Sequence, residues 1–330
     1  MEMVLIARET VVNFYKRFEV FILPILKFLL GLFVFSRILG IEHSHEAFDA
    51  FAEAMSPAML SLLFALLFVV MPANLSWILI ILTITVQISV SIEVATTVFG
   101  FLLLVFLFYG RMAVKESYLI LFVVIAYAFN IPYLVPIIVG LYFSVTAIVP
   151  LVIGVFISMQ IPIVFSLLET PMVIDLGELD IPDLITELPG VFTEAYASIF
   201  SAFSGNYSWV FVAVIFAMVA IVVYLVSRQA IDYSKEIAIG LGSVMMIFGH
   251  ILMSISIEES VPILPMILWV ILCAIIVIII RLFDSVLDYQ RAESVQFEDD
   301  NNFYHVKIVP KVIMSKPKRT VKRIRPDSDE

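Results

Sequence analysis

Three polar side chains stand in parts of this chain where an apolar surrounding makes them expensive. Lys27 lies near the middle of the run Phe18 to Leu39, Glu93 joins two apolar segments at Ser91-Ile-Glu93, and His250 sits deep in the run Ile237 to Ile257. A charged or titratable group inside a bilayer costs a few kcal/mol unless it finds a partner or water, so such groups mark ion, proton or substrate paths when they face protein. Each also has a plainer reading. Lys27 can face the bundle and pair with a carboxylate, His250 can make a structural hydrogen bond, and Glu93 can sit at an external turn. His43 and His45, flanked by Glu42 and Glu46, are metal-ligating residue types. Histidines two apart on a helix point in different directions, so neither a metal nor a cofactor is expected.

The elements that must position these residues lie in a membrane. Of 330 residues, 62% are hydrophobic and only 15% charged, a composition outside the soluble range. The single cysteine, Cys273, stands in an apolar run and excludes a disulfide framework. The first apolar run follows a mixed amphipathic lead-in, Met1 to Lys16, and is expected to act as an uncleaved signal anchor.

The nineteen Lys and Arg residues fall into clusters: Arg8 to Arg37, Arg111 with Lys115, Arg228 with Lys235, and those from Arg281 onward. By the positive-inside rule these clusters mark cytoplasmic ends, and the base-free stretches between them contain the external loops. Both termini are then cytoplasmic, and the number of crossings is even. Between Glu42 and Met55, acids and histidines alternate with Phe48, Phe51 and Met55, predicting an external amphipathic helix.

Two regions of three apolar pieces follow. Pro57 to Met71, Leu75 to Ser91 and Val94 to Tyr109 form one; Ser117 to Asn130, Tyr133 to Ala147 and Ile148 to Leu168 form the other. Fifteen residues make only about 22 Å of helix, which suits protein-buried or re-entrant segments better than lipid-facing spans. Each region has a proline break, a Ser-containing turn and an early glycine in its third piece, Gly100 and Gly154. Charge parity gives each an odd number of crossings and opposite orientations, the pattern of inverted-repeat transporters. The competing reading is that short apolar runs rich in Pro and Gly resemble one another by composition alone.

Glu169 to Tyr207 carries seven acids and no base, and reads as an external segment with surface helices at Ile181 to Leu188 and Val191 to Phe203. Three ordinary spans are expected at Trp209 to Ser227, Ile237 to Ile257 and Pro262 to Ile280. The middle one carries Gly240, Gly242, Ser243 and Gly249, small residues that permit close helix approach. Past Arg281, a short helix leads to a hairpin signal over 295–309. The basic end, with Lys316, Lys318, Arg319, Lys322, Arg323 and Arg325, would be drawn to anionic lipid, while nucleic acid is not an expected partner. A lone hairpin needs a partner strand or a second copy to be stable.

The predicted fold is therefore an all-α polytopic membrane protein. It has about ten transmembrane or re-entrant helices, an option of two inverted three-segment repeats (57–111 and 117–168), and a small cytoplasmic β-hairpin tail. Its parts are 1–56, the broken core 57–168, the acidic segment 169–207, the three-span bundle 208–281 and the tail 282–330. The stretch Gln290 to Asp300 with Tyr304 to Lys311 resembles tails of uncharacterised multi-pass membrane proteins of anaerobic Gram-positive bacteria. The resemblance covers about a tenth of the chain, and it implies a bacterial plasma membrane and no activity. No phosphate-binding loop, zinc-hydrolase pair or nucleophile elbow is present, so the sequence does not point to an enzyme. It points to a transporter or flippase lined by Lys27, Glu93 and His250, or alternatively to a scaffold that gathers partners through its external helices and tail. The topology is testable by cysteine substitution at Ser204 and Ser234. An impermeant maleimide should reach the first from outside and the second from inside, and the reverse pattern would invert the arrangement.

Overall fold

The computed structural model describes residues 2–40, 56–89, 91–110, 114–169, 193, 196–205, 207–231, 233–257, 262–284, 293–299 and 302–308. The chain divides into two units, Met1–Ile280 and Arg281–Glu330. The helices are α1 Glu2–Leu39, α2 Pro57–Val70, α3 Ala73–Gln87 and α4 Ile92–Val105, the last extended by a π-turn at Phe106–Gly110. They continue with α5 Val114–Ala128, α6 Leu134–Tyr142, and α7 Ile148–Glu169, which is entered through a 3₁₀ turn at Val145–Ala147. The helical residues 196–205 form α8, followed by α9 Ser208–Ser227, α10 Ser234–Ile257 and α11 Ile263–Asp284. In the second unit β1 Glu293–Asp299 and β2 Asn302–Ile308 run antiparallel, with Val295 opposite Val306 and Phe297 opposite Tyr304.

Among the described residues, five helical stretches are long and apolar enough to cross a membrane: Arg17–Leu39, Val145–Glu169, Ser208–Ser227, Ser234–Ile257 and Ile263–Phe283. Four shorter apolar helices, Pro57–Val70, Asn74–Gln87, Ile92–Phe108 and Tyr118–Ala128, accompany them. The architecture is that of an integral membrane protein, and all four shorter helices fall in the interrupted core, 57–168. Its pieces are short, as their lengths in the sequence imply.

Local chemistry sets the ends of those pieces. Ser56 caps α2 by accepting from the Met59 amide, and Pro57 occupies the first turn, where its missing N–H costs nothing. Ser91 caps α4 through the Val94 amide. α5 stops at a Schellman motif: Asn130 takes the left-handed conformation (φ 59°), Ile131 N–H reaches Ala126 O at 2.8 Å and Asn130 N–H reaches Tyr127 O at 3.0 Å. Pro132 then forbids continuation. The Met1 to Lys16 lead-in is not a separate element, because no glycine or proline separates it from the first span and the helix propagates through both as α1. The expected external helix between Glu42 and Met55 and the surface helix at Ile181 to Leu188 lie outside the described residues.

Packing divides the first unit into three apolar clusters. The largest joins α5, α6, α7, α9, α10 and α11 around Val135, Ile137, Leu151, Phe216, Val223, Met246, Val270 and the buried thiol of Cys273. A second joins Val34, Phe35 and Ile38 of α1 to Leu60 and Phe68 of α2, Ile80 of α3 and Leu121 of α5. The third joins Ile88, Val94 and Ala95 to Leu168 and Ile199.

The three-piece regions do not share one geometry. Helices α2, α3 and α4 have 14, 15 and 14 residues, whereas α5, α6 and α7 have 15, 9 and 22. Their glycines differ too. A Cβ on Gly154 would stand 2.7 Å from Val123 Cβ, while one on Gly100 would meet nothing within 4 Å.

Close approach is concentrated on α9. A Cβ on Gly140 would lie 2.6 Å from the Ala220 carbonyl oxygen and 2.7 Å from Val223 Cβ, and one on Gly242 would lie 2.6 Å from Val223 Cγ2. A backbone carbonyl cannot move aside cheaply. Gly140→Ala is therefore expected to lose about 1–3 kcal/mol through overpacking, seen as a lower Tm in detergent. Gly240→Ala, with nothing within 4 Å, should lose nothing; equal behaviour of the two variants would contradict the packing described.

Candidate functional site

The only carboxylate buried among the described residues is Glu93, at 6% exposure. Its place follows from how α4 meets α7. Phe101 packs on Phe156 with ring centroids 5.2 Å apart, while Val94 of α4 shares a cluster with Leu168 of α7. The two helices are thus antiparallel. Glu93, Thr97 and Phe101 recur at i, i+4, i+8 on one face of α4, and Phe156, Gln160 and Val164 do the same on α7.

Helix α8 joins the same apolar cluster. Ile199 and Phe203 pack on the cluster that contains Val94 and Leu168, and the Tyr196 hydroxyl lies 2.9 Å from Thr96 Oγ1. Ser91 Oγ donates to Glu93 Oε2 at 3.1 Å, and Thr96 and Thr97 both donate to the Glu93 carbonyl. Gln160, at 4% exposure, donates from Nε2 to Phe203 O at 3.5 Å, a long contact, and its buried Oε1 has no hydrogen-bond partner. An unsatisfied buried acceptor costs about 1–3 kcal/mol.

A second polar centre forms where the core is interrupted. His250, at 6% exposure, has Nδ1 2.9 Å from Met246 O on its own helix. Its ring stands edge-on to Tyr133 at 5.2 Å, and Phe216 lies 6.3 Å away. Tyr133 belongs to the break before α6. From there α6 descends beside the second half of α9: Gly140 meets Ala220 and Val223, and Phe143 O accepts from Arg228 Nη2 at 3.4 Å. Phe216 is near the middle of the twenty-residue α9, so α6 starts at mid-depth and spans about 13 Å towards the end that bears Arg228. It is a half-helix enclosed by protein.

The structure does not bring the three candidate lining residues together. Glu93 borders the α4–α7–α8 cluster, His250 the main core, and Lys27 neither. The expected bundle-facing, carboxylate-paired Lys27 is corrected: it is exposed. The reason is the length of its neighbour. Antiparallel packing sets Phe35 against Phe64 and Phe68, and Gly31 against Ala65 and Phe68. One turn further along α1, at Lys27, α2 has already ended at Val70. Lysines and arginines 316, 318, 319, 322, 323 and 325, and His43 and His45, lie outside the described residues. An open groove of about 310 Å³ on α11, lined by Leu264, Pro265, Leu268, Trp269 and Leu272, offers no acid, amide or histidine.

Sequence reading passed over Gln160 and Tyr133. Gln160 had a usable signal: it is the one long amide in a 22-residue apolar helix, and such a side chain needs a partner when dehydrated. Tyr133 had none, since a tyrosine beside a proline break is ordinary. No protein-family model, curated protein or solved structure matches the chain.

The orphan oxygen makes Gln160 a poor structural residue. Gln160→Met, which keeps the volume and removes both polar atoms, is expected to leave the Tm unchanged or higher. A fall equivalent to more than about 1 kcal/mol would show that the amide is needed for the fold.

Proposed function

We propose that this chain is a transporter or flippase for a small or lipid-like substrate, and that the half-helix α6 borders its path. The observation that carries the reading is a nine-residue helix starting at mid-depth beside His250 and Tyr133. A crossing element interrupted inside the hydrocarbon layer exposes backbone groups that a plain span would hide, and transport proteins use such interruptions to bind cargo and to hinge. Tyr133 and His250 supply the polar atoms at the break, and Glu93 supplies charge at the end of the bundle remote from Arg228. The protein has no enzymatic activity in this proposal. It resides in a bacterial plasma membrane with both termini cytoplasmic, anionic lipid at the tail lysines and arginines 316–325, and a second copy or partner strand on the hairpin.

A scaffold role is the second reading, favoured by α8: Phe200 is 74% exposed on a helix that Tyr196 ties to α4. Access separates the two. In a Cys273→Ala background, cysteines at Asn130 and Tyr133 should react with a small impermeant thiol reagent added from one side in some conditions and from the other in others. If neither position reacts from either side while Ser204→Cys does, the path is absent and the scaffold reading stands.

A further inference from the structure

Of the five stretches able to cross a membrane, the one in α1 is the least covered: 11% of its most apolar part is buried inside the protein, against 22–39% for the other four. The bare part is where its charge lies. Gly31 and Val34 sit on the face that α2 covers, with Ala65 and Phe68 against Gly31. Lys27 stands one turn before Gly31 and two turns before Val34 on that same face, and Pro24 two turns before Gly31. The α1–α2 interface therefore runs on past Val70, where α2 ends, as a face without a cover: Leu23 to Lys27 are all exposed.

The stretch Arg17–Leu39 has 23 residues, about 34 Å of helix, and Lys27 lies about 15 Å from its Arg17 end and about 18 Å from its Leu39 end. The four-carbon stem of a lysine covers less than half of either distance, so snorkelling does not carry the ammonium to the headgroups. Lys27 makes no hydrogen bond or ion pair among the described residues, and a lipid-facing ammonium at this depth needs a counter-charge. The described residues of this chain do not supply one. The acids inside the five crossing stretches are Glu19, Glu169 and Glu236, each within three residues of an end, and Glu93 is buried elsewhere. A second copy does not supply one either. Copies inserted with the same topology run parallel, so a symmetric contact between their α1 helices sets Lys27 beside Lys27.

We infer that the face of α1 through Pro24 and Lys27 is a docking surface for a transmembrane helix of a different protein, one that carries an aspartate or glutamate in the middle of its span. The ion pair selects the partner. Leu23 and Val20, exposed one and two turns before Lys27, supply the packing, in line with the end of α2. The surface stands whether or not a substrate passes at Tyr133.

The test uses model spans of leucine and alanine with one central residue varied, glutamate, glutamine or leucine, labelled with an acceptor dye and reconstituted with the full chain in proteoliposomes. The chain carries a donor dye at Asn13→Cys, exposed on α1 before the crossing stretch, in a Cys273→Ala background. Energy transfer should reach half-maximum at about tenfold lower span density for glutamate than for leucine, with glutamine close to leucine. Lys27→Leu should erase the preference at unchanged Tm, since no contact within the chain is lost, and Lys27→Glu should move it to a span with a central lysine. Equal transfer to the glutamate and leucine spans would overturn the proposal. So would transfer between donor- and acceptor-labelled copies of the chain that Lys27→Leu abolishes, because the occupant is then a second copy. Acetylation of Lys27 by a membrane-impermeant ester, read by peptide mass spectrometry, would also overturn it by placing this part of α1 at the headgroups.

Discussion

A peptide group that leaves a helix inside a hydrocarbon layer has no water to turn to, and this constraint governs the centre of the protein. The chain breaks twice within one buried stretch, before and after α6. The first break is closed by the Schellman bonds of Asn130 and Ile131, and then by Leu134 and Val135 donating to Ile131 O and Pro132 O. The second is closed by Phe143 donating to Val139 O and by the Arg228 guanidinium reaching Phe143 O. With each unsatisfied group costing several kcal/mol in lipid, these bonds are what allow a nine-residue helix to exist there at all.

The rest of the bundle is arranged to keep that half-helix enclosed. Gly140 brings its backbone against α9, Gly242 brings α10 against the same valine, and Gly249 does so one layer higher against Ile215. Without hydrophobic driving force between helices in lipid, such backbone proximity and its dispersion contacts supply the cohesion. The first half of the chain is built differently. There α1 and α2 interlock through Phe35, Phe64 and Phe68, and α4 makes its polar contacts at its start, where Ser91, Glu93 and Thr96 cluster under α8. The chain therefore has two polar centres of distinct character, one an aromatic-lined histidine at mid-depth and the other a buried acid that accepts from Ser91.

Much of this layout is legible in the sequence, and the failures have common causes. The spans after the acidic segment begin and end within a few residues of the expected positions, because turn residues and charges bracket them clearly. The proline break and the Ser-containing turn of the second region fall at the two breaks, at Pro132 and at Ser144 to Thr146. What the sequence hides is orientation. In a run where every residue is apolar, lipid-facing and protein-facing positions look alike, so periodicity carries no signal. That is why Gly100 and Gly154 look equivalent but pack differently, and why Lys27, expected to face the bundle, is exposed beyond the end of α2. Glu93 is visible as an oddity in the sequence, whereas its burial is a matter of packing that the sequence pattern does not carry.

The claim on which the account turns is that Leu134–Tyr142 is an enclosed half-helix rather than a lipid-facing loop. Hydrogen–deuterium exchange of the protein in nanodiscs measures this directly. The amides of Val135 to Tyr142 should exchange as slowly as those at the centre of Ser208–Ser227 and far more slowly than those of Ser144 to Thr146. Exchange of the Val135 to Tyr142 amides at the rate of the Ser144 turn would contradict it.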